Sequence, residues 1–189
     1  MISSPAVDDV KHVSVVVPVY NGERTLRTCL ESLLASEHPS FDVVVVDDGS
    51  TDGSLAIAQA LARDDQRLKV SSISHGGPAR ARNHGIRACT GTYVAFTDAD
   101  TVAPREWLAA LCRELEAREV AAVGGGISPL KVSNAYEAAE DFRYRRLVGT
   151  EARSIGALPT CNLLVRRGIL EQVGGFDERF VCAASEDFD

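Results

Sequence analysis

Two short runs of β-branched residues do most to limit what this chain can fold into. Val13-Ser14-Val15-Val16-Val17 and Val43-Val44-Val45-Val46 show no regular polar alternation. A strand wetted on one face alternates, so these runs predict strands covered on both faces, as in a parallel sheet flanked by helices. Between them, Leu26, Cys29, Leu30, Leu33 and Leu34 recur at helical spacing after the turn pair Asn21-Gly22. The same rhythm predicts a second helix with the stripe Leu55, Ala58, Leu61 and Ala62, a strand near 68–72 and a helix over 78–88. A strand at 92–97 follows, then a helix from Pro104 whose inner face is Trp107, Leu108, Leu111 and Leu115. Pro18 is expected to end the first strand, Thr51 or Asp52 to cap the second helix, and Pro78 and Pro104 to occupy first helical turns. The pattern describes an α/β fold with a mostly parallel central sheet and helices on both faces.

After Val120–Val123 the rhythm breaks. A Gly-rich turn, a charged helix over 133–148, a linker through Pro159, a strand at 162–165, a short helix at 168–173 and the turn Gly174-Gly175 are expected. The 189 residues fit one domain, or one domain with a piece missing, and 45% hydrophobic with 25% charged residues are ordinary values for a soluble globular protein. A net charge of −7 excludes a general nucleic-acid binder but leaves room for a local basic pocket. The five cysteines, Cys29, Cys89, Cys112, Cys161 and Cys182, never form a C-x-x-C pair, so a reduced, cytoplasmic setting is expected rather than a disulfide framework or zinc knuckle. Residues 1–12 lack the apolar core of a signal peptide and read as a flexible segment, and no apolar run approaches the ~20 residues that span a bilayer. Membrane contact is expected to be peripheral, at the inner face. The ending SEDFD reads as that of a fragment.

In open parallel sheets, ligands bind beyond the carboxyl ends of the strands. Three polar clusters fall there: Pro18 to Asn21, Asp47-Asp48, and Asp98-Ala99-Asp100. Asp98 and Asp100 suit a capping loop; in an extended segment they would instead share one face, a repulsive pair that a cation relieves. Two hard carboxylates without His or Cys suit Mg²⁺ or Mn²⁺, which keep positions open for phosphate oxygens. Asp47 and Asp48 suit a D-G-S turn or a hydrogen bond to a base or ribose, and Tyr20 suits the core or a stacking platform. Residues 75–83 open a helix with Gly76, Gly77, Arg80 and Arg82, favourable to an anion or simply solvated. There is no G-K-[ST] and no G-x-G-x-x-G after the first strand, which argues against a P-loop and a dinucleotide fold.

The ordered set PVYNGE (18–23), VVDDGSTD (45–52), GGPARARNHG (76–85), TGTYVAFTDAD (90–100), GGFDERF (174–180) and SEDFD (185–189) resembles the successive motifs of family 2 glycosyltransferases, which have the GT-A fold. The resemblance covers essentially the whole chain. It implies one GT-A domain over 13–189, with a nucleotide-sugar half at 13–123 and an incomplete acceptor half at 124–189. It also implies an inverting transfer from a nucleoside diphosphate sugar, UDP-linked by expectation, to an acceptor hydroxyl in polysaccharide, glycolipid or cell-envelope glycan synthesis. By the same resemblance Pro18 and Tyr20 line the base pocket with Glu23 close by, Asp48 bonds the base, Arg82 lies near the nucleotide, and Asp98 contacts ribose or metal. Asp100 coordinates a Mn²⁺ or Mg²⁺ cofactor, and Asp187, preceded by Glu186, is the catalytic base. With Asp187 two residues from the end, the chain is expected to bind donor but transfer sugar poorly.

Two rival readings stand beside this one. A nucleotidyltransferase would carry a Gly-rich loop with Arg or Lys after the first strand, which PVYNGE does not supply. A non-catalytic nucleotide-sugar-binding module or remnant would not need Asp187. Arg143-Tyr144-Arg145-Arg146 reads as a solvated ion-pair face with Glu137, Glu140 and Asp141, or as a contact for a lipid phosphate or membrane surface. Asn162 reads as a strand-end polar residue or as facing an acceptor pocket. Cys112 and Cys161 read as small buried hydrophobes, and the four histidines show no ligand spacing.

Overall fold

The structure, a computed structural model, describes residues 10–128 and 158–180. Six strands form one sheet: β1 (Val13–Val19), β2 (Phe41–Asp47), β3 (Leu68–Ser72), β4 (Tyr93–Phe96), β5 (Ala122–Gly124) and β6 (Leu163–Arg166). The helices are α1 (Leu26–Leu34), α2 (Ser54–Asp64), α3 (Pro78–Ala88), α4 (Trp107–Ala117) and α5 (Arg167–Val173), with a 3-10 turn at Thr160–Asn162. The spatial order is β3-β2-β1-β4-β6-β5. The first four strands are parallel, as expected, whereas β6 runs antiparallel to both β4 and β5. This is the GT-A architecture, a mostly parallel sheet between helical layers.

The unalternating valines do cover both faces. Val13, Val15, Val17, Val43 and Val45 pack with Leu26, Leu30, Leu33, Ala58, Leu108 and Leu115 from α1, α2 and α4. Val16, Val44, Val46, Val94 and Phe96 face the other way, onto Ala81 of α3 and Leu170 of α5. Successive side chains on a strand point to opposite sides, so a run apolar at every position needs a helix on each. Full burial of each such side chain contributes about 1.5–3 kcal/mol before entropy is counted.

Two expectations about proline are corrected. Pro18 lies inside β1, opposite Val46 of β2. Pairing of β1 with β4 stops at Val16 and Phe96, and Pro18 lies two residues further along that same edge, so its missing N–H costs no ladder bond. Pro104 precedes α4 instead of opening it: its carbonyl accepts from the Trp107 N–H at 3.0 Å in the turn leading into the helix. Pro78 does open α3. The cap position of α2 is Gly53, while Asp52 Oδ1 accepts from the Ser54 N–H at 3.0 Å and its hydroxyl at 2.6 Å.

Candidate functional site

Strand order reverses at β1, which has β2 and β3 on one side and β4 on the other. A cavity of about 1050 Å³ opens there, beyond the carboxyl ends of β1, β2 and β4. Pro18, Tyr20, Glu23, Asp48, Arg82, Asp98 and Asp100 all line it. The fold therefore brings together seven of the eight residues expected from the sequence. The eighth, Asp187, lies outside the described residues, as do Cys182, the expected helix over 133–148 and its Arg143–Arg146 cluster.

The cavity wall is built by loops that bond to one another. Asn21 has φ 53°, in the left-handed region that Asn tolerates better than most residues. Its Oδ1 accepts from the Thr51 N–H at 2.8 Å, and its own N–H donates to Ser50 Oγ at 3.0 Å. The Gly22 N–H reaches Ser54 Oγ at 2.9 Å, the Glu23 N–H reaches Asp52 Oδ2 at 3.1 Å, and Glu23 Oε2 accepts from the Gly53 N–H at 2.8 Å. Glu23 thus fastens the β1–α1 loop to the start of α2. Hydrogen bonding from Ser54 holds the Asp52 carboxyl below its ordinary range.

Asp48 is buried and accepts from two successive amides, Gly76 N–H at 2.9 Å on Oδ1 and Gly77 N–H at 2.8 Å on Oδ2. Gly77 has φ 94°, a conformation open to glycine, and it leads directly into α3. His75 Nδ1 lies 2.8 Å from Asp48 Oδ2, and the imidazole stacks on the Tyr20 ring with centroids 4.0 Å apart and planes inclined by 22°. Tyr20 is therefore a half-exposed member of a two-ring wall and not a core residue.

The D-x-D segment forms a turn and not an extended pair. The Asp98 carbonyl accepts from the Thr101 N–H at 3.2 Å and its hydroxyl at 2.8 Å, and Thr97 and Thr101 hydroxyls meet at 2.6 Å. Cys29 Sγ donates to the same carbonyl at 3.4 Å, and burial pushes its thiol pKa up to about 12. Arg82, almost fully buried on α3, places Nη2 3.0 Å from Asp98 Oδ1, while the Asp98 side chain is 39% exposed. Some of the positive charge that two neighbouring carboxylates require thus comes from the protein. Among the described residues no group of three or more His, Cys, Asp or Glu side chains could hold a metal. Two carboxylates in a cavity fit a hard cation that takes its remaining ligands from phosphate oxygens and water.

A second cavity of about 640 Å³ shares Asp98, Asp100 and Cys161 with the first. Asn162 lines it, bonded through Oδ1 to Trp107 Nε1–H at 2.7 Å and through Nδ2–H to the Gly126 carbonyl at 2.8 Å. Sequence reasoning did not assign Thr160, Cys161 or His75 to the site. The first two arrive on the 3-10 turn that leads into the antiparallel strand β6. The signal for His75 was its place just after β3 and before Gly76-Gly77.

The sequence profile described as Glycosyl transferase family 2 matches residues 14–174. The chain belongs to that family. Among characterised and uncharacterised relatives, this family 2 member is 31% identical to the glycosyltransferase AglE of Haloferax volcanii over 177 residues, covering 89% of this chain and 57% of that one. It is 37% identical to the uncharacterized glycosyltransferase EpsJ of Bacillus subtilis over 114 residues, covering 60% and 33%. The mannosyltransferase PcManGT of Pyrobaculum calidifontis, solved with GDP-Man and Mn²⁺, superposes with a TM-score of 0.75 at 26% identity, over 94% of this chain and 50% of that one. TarS of S. aureus, solved with UDP-GlcNAc, gives 0.70 at 26% identity, over 94% and 51%. The chain thus spans between a third and somewhat over half of these relatives. Among the described residues, no helix is long and apolar enough to cross a membrane.

Proposed function

We propose that this chain is the donor-binding core of an inverting glycosyltransferase that moves a hexose from a nucleoside diphosphate sugar to an acceptor hydroxyl. The observation that carries the reading is the convergence of Tyr20, Asp48, Arg82, Asp98 and Asp100 in one cavity at the switch point of the sheet. PcManGT with GDP-Man and TarS with UDP-GlcNAc support a nucleotide-sugar donor, which we propose is UDP-linked. Residues 13–123 form the donor half and 124–189 the acceptor half. The base lies against the Tyr20–His75 wall beside Pro18, and the diphosphate runs towards Asp98 and Asp100. Those two carboxylates would hold a Mn²⁺ or Mg²⁺ ion, which when bound offsets charge on the leaving diphosphate. Arg82 sets the position and charge of Asp98 from beneath. Asp187 accepts the proton of the attacking hydroxyl on the opposite face, so the anomeric configuration inverts. The acceptor is a carbohydrate or lipid-linked glycan of the cell envelope, met on the cytoplasmic side of a membrane.

A thermal-shift panel of UDP, GDP and dTDP with and without Mn²⁺ tests the donor reading. A nucleotide at 100 times its dissociation constant should stabilise the fold by about 2.7 kcal/mol. A shift that needs both Mn²⁺ and one nucleotide is expected, and no shift with any of them overturns the reading. In a longer form that transfers sugar, Asp187→Asn should abolish transfer and spare donor binding. Unchanged transfer would remove Asp187 from the mechanism, whereas a longer form that binds donor and never transfers would be a binding module.

A further inference from the structure

We infer that His75 selects the nucleobase of the donor, and that it does so as a hydrogen-bond acceptor through Nε2. The inference rests on the donor-binding reading above and adds the residue and the class of base. Asp48, the residue expected to bond the base, is heavily committed elsewhere. Its side chain is 3% exposed and accepts from the Gly76 and Gly77 N–H groups, one on each oxygen, while His75 Nδ1 lies 2.8 Å from Oδ2. Both carboxylate oxygens are thus engaged in holding the 75–77 loop. The group this arrangement presents to the cavity is the imidazole, which is 54% exposed and lines the same wall as Tyr20.

The tautomer follows from the neighbours. Nδ1 faces Asp48 Oδ2 at 2.8 Å and the Asp48 carbonyl at 3.1 Å, and both are acceptors. Nδ1 must therefore carry a proton, and the neutral ring has its lone pair on Nε2. Among the described residues no hydrogen bond or ion pair uses Nε2. The stack on Tyr20 and the Nδ1 contacts together fix the plane and the rotation of the ring, so Nε2 is held at a fixed place instead of turning with solvent. A fixed acceptor at the edge of a stacking wall favours a base whose edge nitrogen bears hydrogen. Uracil and thymine offer N3–H, and guanine offers N1–H. Cytosine N3 and adenine N1 turn a lone pair to the same position, leaving two acceptors opposed, and a site organised around an N–H discriminates against ligands that lack it.

The test is isothermal titration of the chain with UDP, GDP, CDP and ADP in the presence of Mn²⁺, for the wild type, His75→Ala and His75→Phe. His75→Phe keeps a ring over Tyr20 and removes both nitrogens, and a half-exposed site should accept it; thermal midpoints check folding. The wild type should bind UDP or GDP at least about tenfold tighter than CDP and ADP, and both variants should narrow that ratio to within about threefold. Methylating N3 of UDP, or N1 of GDP, should cost the wild type about tenfold and cost His75→Phe little. Nitrogen-15 NMR should show the proton of the neutral ring on Nδ1. A preference for CDP or ADP, a ratio unchanged in His75→Phe, or a proton on Nε2 would overturn the inference. If all four nucleotides bind equally, base selection by His75 fails and donor binding stands; if none binds, donor binding fails first.

Discussion

Arg82 shows how a single residue joins core to site. Its guanidinium is nearly buried, lies 5.8 Å from the Phe176 ring centroid, and ends 3.0 Å from Asp98. Arg82→Ala would leave Asp98 beside Asp100 without that cation. Because Asp98 is partly exposed, the loss in stability is expected at about 1–2 kcal/mol, read from urea midpoints, below the cost of breaking a fully buried pair. Arg82→Lys should recover part of it, since a point charge replaces the planar fork. The thiols make a different forecast. Burial pushes Cys29, Cys89 and Cys112 up to about 12, so at pH 8 only ~10⁻⁴ of each is thiolate. A short iodoacetamide pulse followed by mass spectrometry should leave all three unlabelled until urea unfolds the chain; rapid labelling of Cys29 in the folded protein would contradict its packing beneath Asp98. At this scale the sequence revealed which residues gather at the strand ends, because motifs at strand ends converge in an open sheet. It did not reveal the Arg82–Asp98 pair or the Asp48–His75 contact, since side chains 16 and 27 positions apart meet only after the loops have closed.

Among the elements, α3 has the most varied duties. Gly85 permits it to lie close on β1: a Cβ there would come within 2.4 Å of Val16 Cγ1. Gly85→Ala should therefore cost about 1–3 kcal/mol from overpacking, despite the better helix propensity of alanine, and differential calorimetry would register it. One residue after Arg82, Asn83 grips the turn that follows α5. Its Nδ2–H donates to the Phe176 carbonyl at 2.8 Å and to Glu178 Oε1 at 2.9 Å, and its Oδ1 accepts from the Phe176 N–H at 2.8 Å. Gly174 and Gly175, with φ of 85° and 82°, bend the chain to allow it. Asn83→Ala should raise hydrogen exchange at Phe176 and cost about 1–3 kcal/mol, as a buried amide pair loses its partner. The helices were legible because a 3.6-residue stripe identifies them, and the inner face predicted for α4 is the one observed. Strand direction was not: a short strand such as Leu163–Arg166 reads the same whichever way it runs, and only pairing with β4 and β5 decides it.

Taken as a whole, the molecule divides its labour between a valine-rich interior and an acidic rim at one end of the sheet. Replacing Asp98 and Asp100 together with alanine should remove the Mn²⁺-dependent part of any nucleotide-induced thermal shift from a chain that still folds, at a cost in stability because the buried Arg82 loses that carboxylate. An undiminished shift would separate the carboxylates from the cation. The sheet order carries one further consequence, for synthesis. Among the described residues β5 pairs only with β6, and β6 lies between it and β4, so a ribosome must translate about 40 more residues after Gly124 before either neighbour gains β6 as a partner. At about 5–20 residues per second, the growing polypeptide spends several seconds with a bare strand edge beside β4. Arrested nascent chains halted shortly after Gly124 should be captured by chaperones or aggregate, and those halted once Arg166 has cleared the exit tunnel should resist protease.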